Sequence, residues 1–253
     1  MKKRLLSVFL CLCMVFGLVP VTVWAATTNG HTHYLCGGST CNGSGHENET
    51  YKTTFEKEIK QEGNTLKIGG ESWAPTKGSN DTFYILPTGT YYLGSDISPE
   101  YTIKIENNVT LCLNGHKITA ADGMDAIYMT GGSFTLTDCK GVGTITHASS
   151  KTGRGVYVSS GTFNMYGGSI ADNNMVTDDY VGNDEIGGGV YIADDGATFN
   201  MYGGTICGNT AGHCGGGVYM GEKTNFNMYG GTICGNTATR NFGGGVCAYK
   251  SSD

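Results

Sequence analysis

Apolar and polar residues alternate with a period of two in short runs separated by glycine pairs. Gly153-Arg154-Gly155-Val156-Tyr157-Val158 is followed by Thr162-Phe163-Asn164-Met165-Tyr166-Gly167-Gly168-Ser169-Ile170. Alternation of this period turns one side of a strand inward and the other outward. Each run is therefore predicted to be a strand, and the glycines mark sharp corners. The set then recurs. Gly187-Gly188-Gly189-Val190-Tyr191-Ile192 leads into Thr198-Phe199-Asn200-Met201-Tyr202-Gly203-Gly204-Thr205-Ile206-Cys207-Gly208-Asn209. Gly215-Gly216-Gly217-Val218-Tyr219-Met220 leads into Phe226-Asn227-Met228-Tyr229-Gly230-Gly231-Thr232-Ile233-Cys234-Gly235-Asn236. The glycine triplets stand 28 residues apart from 187 to 215 and again from 215 to 243. The earlier step, 153 to 187, is longer at 34 residues, and 175–186 (MVTDDYVGNDEI) reads as an insertion within it. Fainter copies run upstream through Ala126-Ile127-Tyr128-Met129, Ser133-Phe134-Thr135-Leu136 and Gly143-Thr144-Ile145, and through Val109 to Leu113 with Lys117-Ile118-Thr119. Tyr91-Tyr92-Leu93 and Tyr101 to Ile105 are expected to form the first turn.

A unit of about 28 residues with three strands, repeated in phase, is one coil of a solenoid whose coils stack at a strand spacing of ~4.8 Å. The expected fold is all-β, a parallel β-helix with three strands per coil over 81–253. Corners in place of helices fit leucine-rich and ankyrin arrays poorly, and a propeller blade needs a longer repeat. No proline lies beyond Pro99, as expected if later strands are hydrogen-bonded on both sides. Val156, Val190, Val218, Phe163, Phe199, Phe226, Met165, Met201, Met228, Ile170, Ile206 and Ile233 should point inward. Parity sends Tyr157, Tyr191 and Tyr219 outward in one ladder. A second ladder holds Tyr166, Tyr202 and Tyr229, with Asn164, Asn200 and Asn227 two residues before each. These nine residues are the candidate ligand-binding set: sugar rings pack on tyrosine, and amides bond hydroxyls. Stacking of like side chains for stability alone is the other reading of the same ladders. Asn209 and Asn236, at the corner after the third strand, suit an internal amide ladder. Cys207 and Cys234 share one repeat position, within disulfide range on adjacent coils. Cys112 and Cys139 are offset by two positions, and Cys214 and Cys247 have no partner by repeat phase.

Glycine, 42 of 253 residues, is more than twice its usual frequency but has no three-residue period, which excludes collagen. The net charge of -6 disfavours a general nucleic-acid binder. Met1-Lys2-Lys3-Arg4, an apolar stretch from Leu5 to Val23 and the small residues before Ala26 read as a secretory signal over 1–25. Its removal leaves 13 basic against 22 acidic residues, eight cysteines and no stretch apolar enough to span a bilayer. The expected location is secreted or cell-surface.

Residues 26–80 form a His/Cys-rich segment expected to cap the first coil, which would otherwise expose a strand edge. His31, His33, Cys36, Cys41 and His46 are five potential ligands within 16 residues. Four of them suit tetrahedral zinc. A Cys36–Cys41 disulfide with solvated histidines is the alternative. Phe55 to Gln61 reads as either a short amphipathic helix or an edge strand.

Catalysis on a glycan needs paired carboxylates on one face. The adjacent acids Asp178, Asp179, Asp194 and Asp195 are predicted in loops, near Asp184 and Glu185, where they suit a calcium site or an acid/base cluster. Arg154, one coil earlier, is the candidate base of a lyase. Solvated loop acids are the simpler reading. The unit opening at Gly243 does not close before Asp253, so the chain is expected either to be a fragment of a longer protein with further modules or to pair end-on with a partner.

The unit GGGVY…FNMYGGTICGNTA resembles the repeats of right-handed parallel β-helix proteins, of pectate-lyase-like superfold, secreted or displayed by Gram-positive gut bacteria. Leu111-Cys112-Leu113-Asn114-Gly115-His116 and Leu136-Thr137-Asp138-Cys139 resemble the first coils of that group, and the resemblance covers 80–253. It implies a right-handed coil and an adhesin-like or glycan-interacting surface role with a polysaccharide or host glycan as partner. A structural stalk and a polysaccharide lyase or hydrolase are the alternatives. The Phe-x-x-Asn motif of polymorphic outer-membrane adhesins is not reproduced, since Asn200 directly follows Phe199.

Overall fold

The computed structural model describes residues 52–177, 185–193 and 195–249, together with the backbone of 31–34. Among the described residues every regular element is a strand, and no helix is long and apolar enough to cross a membrane. Period-two alternation therefore decided the local structure throughout.

The strands of successive units pair in parallel, each with its counterpart one unit on. Val156 pairs with Val190, Val190 with Val218 and Val218 with Val246. Phe134, Phe163, Phe199 and Phe226 form a second in-register series, and Ile118, Ile145, Ile170, Ile206 and Ile233 a third. The sheets that result hold 15, five and three strands, an arrangement compatible with a β-solenoid. A further two-stranded antiparallel pair joins His31–Tyr34 to Lys52–Phe55. The 34-residue step costs no register: Asn174–Met175 pairs with Thr210–Ala211, so Met175 keeps a counterpart and is not extra, and Val190 beyond the longer segment pairs with Val156.

Inward residues fill one continuous core. Phe134, Phe163 and Phe199 are fully buried and stack with Phe226 at ring-centre separations of 4.8 to 5.4 Å. Val156, Val190, Val218, Met165, Met201, Ile170 and Ile206 are buried as parity requires. The last of the series differ: Phe226 and Ile233 are half-buried and Met228 is 47% exposed. The strand Asn225–Met228 pairs on one side only among the described residues, so Met228 has no rung covering it.

At the other end the edge is covered by an antiparallel meander. Lys57–Glu62 runs parallel to Gly89–Leu93, then pairs antiparallel with Thr65–Ile68, which pairs with Glu71–Ser72. Of the two readings of Phe55 to Gln61, the strand is observed. Phe55 and Ile59 are its buried residues.

Corners demand glycine for two reasons. Gly168, Gly204 and Gly231 occupy the left-handed region at φ of 82°, 84° and 87°. Gly189 is held by space instead: a Cβ there would lie 2.5 Å from the Gly217 carbonyl oxygen one rung away.

Inside the third corner runs an amide ladder. Asn209 Nδ2 donates to Asn236 Oδ1 at 3.0 Å and to the Ile170 carbonyl at 2.9 Å, and Asn173 Nδ2 donates to Asn209 Oδ1 at 2.9 Å. Buried His147 heads the ladder, with Nδ1 2.7 Å from Asn173 Oδ1 and Nε2 2.8 Å from the Met124 carbonyl oxygen. Asn209→Ala strips partners from Asn173 and Asn236 in a dry corner, so it should cost about 1–3 kcal/mol. Asn227→Ala, on an exposed face, should change stability by no more than ~0.5 kcal/mol. Denaturant unfolding of the two variants checks the contrast.

Candidate functional site: an aromatic row ending in a groove

Parallel pairing sets Tyr128, Tyr157, Tyr191 and Tyr219 side by side. Their ring centres are 4.9, 4.9 and 5.5 Å apart. Phe83 extends the row at 6.1 Å from Tyr128. Tyr157 and Tyr191 lie nearly parallel, at 13°, and so cover part of each other's faces. Their edges and hydroxyls are what the half-buried middle of the row presents. At Tyr219 the row turns inward: its ring is 9% exposed and packs with Ile186 and Cys214. Burial pushes its hydroxyl up to about 12.

The second ladder has the same spacing and a different exposure gradient. Tyr166, Tyr202 and Tyr229 stack at 4.6 and 5.0 Å, from a buried Tyr166 to a Tyr229 that is 50% exposed. Asn164, Asn200 and Asn227 bond one another. Asn200 Nδ2 donates to Asn164 Oδ1 at 2.9 Å, and Asn227 Nδ2 to Asn200 Oδ1 at 3.0 Å. The amides therefore spend part of their bonding capacity within the row.

Arg154 lies over the first ladder. Its guanidinium carbon is 5.5 Å from the centre of the Tyr157 ring and 5.1 Å from that of Tyr191. Its Nε donates to the Ile186 carbonyl at 2.9 Å, and Nη1 reaches Asp125 Oδ1 at 3.5 Å. Burial pushes the Asp125 carboxyl up, and the Arg154 guanidinium pulls it the other way. The arginine thus clamps Ile186, the last residue of the inserted segment, onto the ladder, a positioning task that occupies the group suggested as a lyase base.

Asp125 also lines a groove of about 420 Å³ at the Phe83 end of the row, together with Asn80, Asp81, Phe83, Tyr101, Met124, Tyr128 and Tyr157. Here the rings are tilted, by 37° between Phe83 and Tyr128 and by 33° between Tyr128 and Tyr157, so ring surface faces the groove. The volume falls in the range of small-ligand clefts. Sequence reasoning missed this site because its residues come from the degenerate early units and from three separate strands. The Tyr128–Tyr157 equivalence was the one available signal.

The acidic set is only partly described. Asp195 is exposed and sits 3.4 Å from Lys223 Nζ, while Asp178, Asp179 and Asp194 lie outside the described residues. Glu185 is buried and committed: Thr177 donates to it from its amide and hydroxyl at 2.6 and 2.7 Å, and Arg240 pairs with its other oxygen. Of the proposed zinc ligands, His31 and His33 occupy alternate positions of the strand His31–Tyr34, whereas Cys36, Cys41 and His46 lie outside the described residues. Among the described residues one group of three potential ligands converges: Cys112, Asp138 and Cys139. Asp138 already accepts from the Gly115 and Gly143 amides, both at 2.7 Å.

No protein-family model matches the chain, and neither a curated protein nor a solved structure matches it.

Removing the guanidinium leaves a half-buried carboxylate without its partner, so Arg154→Ala should destabilise by about 1–3 kcal/mol. Asp125→Asn in the same chain should restore part of the loss. A double-mutant cycle by denaturant unfolding checks this, with an expected coupling of at least ~0.5 kcal/mol.

Proposed function

We propose that the chain is an exported, right-handed parallel β-helix protein that binds a glycan without catalysis. The carrying observation is the row of half-exposed rings, Tyr128, Tyr157 and Tyr191, that opens at Phe83 into an aromatic groove with carboxylates on its wall. Each part suits a saccharide. The apolar face of a sugar ring packs on tilted aromatic surface. Asp81 and Asp125 accept hydrogen bonds from its hydroxyls, and Asn80 both donates and accepts. The regular spacing along the first ladder offers equivalent contacts to successive residues of a linear chain. The signal-like opening of the sequence supports export, and the in-register repeats support the coil. A noncatalytic role agrees with the engagement of Arg154, Glu185 and Asp195 in pairs within the protein.

The test is retention of the protein on a panel of immobilised plant and host polysaccharides with calcium present, with release of reducing ends or unsaturated products followed in parallel. Retention on at least one polymer without products is expected. Phe83→Ala and Tyr128→Ala should each weaken it about tenfold, the equivalent of ~1.4 kcal/mol. Tyr202→Ala combined with Tyr229→Ala should weaken it less. Loss confined to that pair would move binding to the second ladder. Products would replace the proposal with a lyase or hydrolase, and no retention on any polymer would leave a stalk.

A further inference from the structure

The six cysteines with described side chains fall into three pairs, each joining one unit to the next. Cys207 and Cys234 are directly opposed in register, with Cα atoms 4.7 Å apart, and are disulfide-bonded. The other four are thiols. Cys112 is the last residue of the strand Val109–Cys112 and pairs with Thr137, two residues before Cys139. The turn at Asp138 brings the two sulfurs to 3.7 Å. Their positions are held: the Asn114 amide donates to Cys112 Sγ at 3.3 Å, and Cys139 Sγ donates to Asn114 Oδ1 at 3.4 Å.

The third pair escapes the repeat phase altogether. Cys247 is opposite Tyr219 in the register, five residues past Cys214. Gly215, at φ 65°, folds the chain back so closely that a Cβ there would lie 2.8 Å from Tyr219 Cβ. That corner brings Cys214 into one cluster with Tyr219, and Cys247 packs against the same cluster.

We propose that Cys112–Cys139 and Cys214–Cys247 are two further oxidation sites, closing with Cys207–Cys234 into a set of three disulfides that staple successive units of the stack. In each closure two thiols lose two protons and two electrons to a disulfide-bearing oxidant, which leaves as two thiols, and one S–S bond forms in the protein. Exposure sets the order within the first pair. Cys139 is exposed and meets the oxidant first, forming the mixed disulfide. Cys112 is buried and resolves that intermediate from 3.7 Å away. In the second pair Cys214 is buried and Cys247 half-buried, so neither sulfur is as open to the oxidant as Cys139 and closure there is the slower step. Competing use of the first pair as a metal site is disfavoured by Asp138, whose two carboxylate oxygens are already taken by backbone amides.

The experiment is to fold the full chain in a buffer of glutathione and glutathione disulfide, block remaining thiols with iodoacetamide, digest with trypsin without reduction and map linked peptides by mass spectrometry. Cys207–Cys234 serves as the internal control. Cleavage after Lys104, Lys117 and Lys140 separates Cys112 from Cys139, so a 105–117 to 118–140 linkage reports their bond. Linkage of 155–223 to both 224–240 and 241–250 reports the other two, and Cys214→Ser, which should leave Cys247 alkylated with 224–240 still linked, assigns them. All three linkages, each lighter by two hydrogens than the reduced peptides, are expected, with Cys112–Cys139 forming before Cys214–Cys247. Cys139→Ser should leave Cys112 alkylated and the other two bonds intact. Alkylation of Cys112 and Cys139, or of Cys214 and Cys247, in molecules where Cys207–Cys234 is linked would overturn the proposal. So would linkage of any of these four to a different cysteine.

Discussion

Backbone pairing between equivalent strands of successive units is the constraint from which the remaining structure follows. Parallel, in-register pairing sets each residue beside its own counterpart at the ~4.8 Å spacing of neighbouring strands. A residue tolerated in one unit must therefore tolerate a copy of itself. Valine, isoleucine and phenylalanine do so inside, where Phe163 stacks on Phe199 at 4.8 Å. Tyrosine and asparagine do so outside. Like charges do not, since repulsion would repeat at every rung. From Val156 onward no strand of the described residues carries a charged side chain; Asp172, Asp195, Lys223 and Arg240 all lie in turns.

The same stacking solves the problem of the corners. A tight turn in the interior leaves backbone carbonyls that water cannot reach. Asn173, Asn209 and Asn236 satisfy them by donating inward to Ile145, Ile170 and Ile206 while bonding along the ladder. His147 takes the head position, where the earlier unit lacks an asparagine. Glycine supplies the rest, through positive φ at Gly204 and close backbone approach at Gly189. Polar ladder, glycine corner and apolar rung are three consequences of one register.

That is why so much of the fold was legible. A period of 28 residues with identical residues in phase predicts which side chains meet, and Val190 with Val218, Cys207 with Cys234 and Asn209 with Asn236 all do. Legibility ended where contacts leave the register. Cys214 meets Cys247 only because the Gly215 corner doubles the chain back. The groove draws on Asn80, Phe83, Tyr101 and Asp125, which no repeat position connects. The tyrosine ladders were visible as rows, yet the mutual covering of their faces depends on ring angles that a sequence does not contain. Arg154 was visible as a cation one coil before an acidic insertion. Its occupation by two tyrosine rings and a carbonyl was not.

A uniform stack presents a uniform surface, and recognition concentrates where uniformity breaks. The Phe83 and Tyr128 rings are tilted by 37° to one another, and the early units bring acids and an amide to the same wall. Under the proposed function, a glycan is expected to lodge one sugar in this groove and to extend along Tyr157 and Tyr191. The most direct measurement is a crystal structure of the protein with an oligosaccharide fragment of a retained polymer. A sugar ring packed on Phe83 or Tyr128, with a hydroxyl bonded to Asp125 or Asp81, is the predicted result. A sugar bound only elsewhere, on the second ladder or against the acidic insertion, would contradict the account.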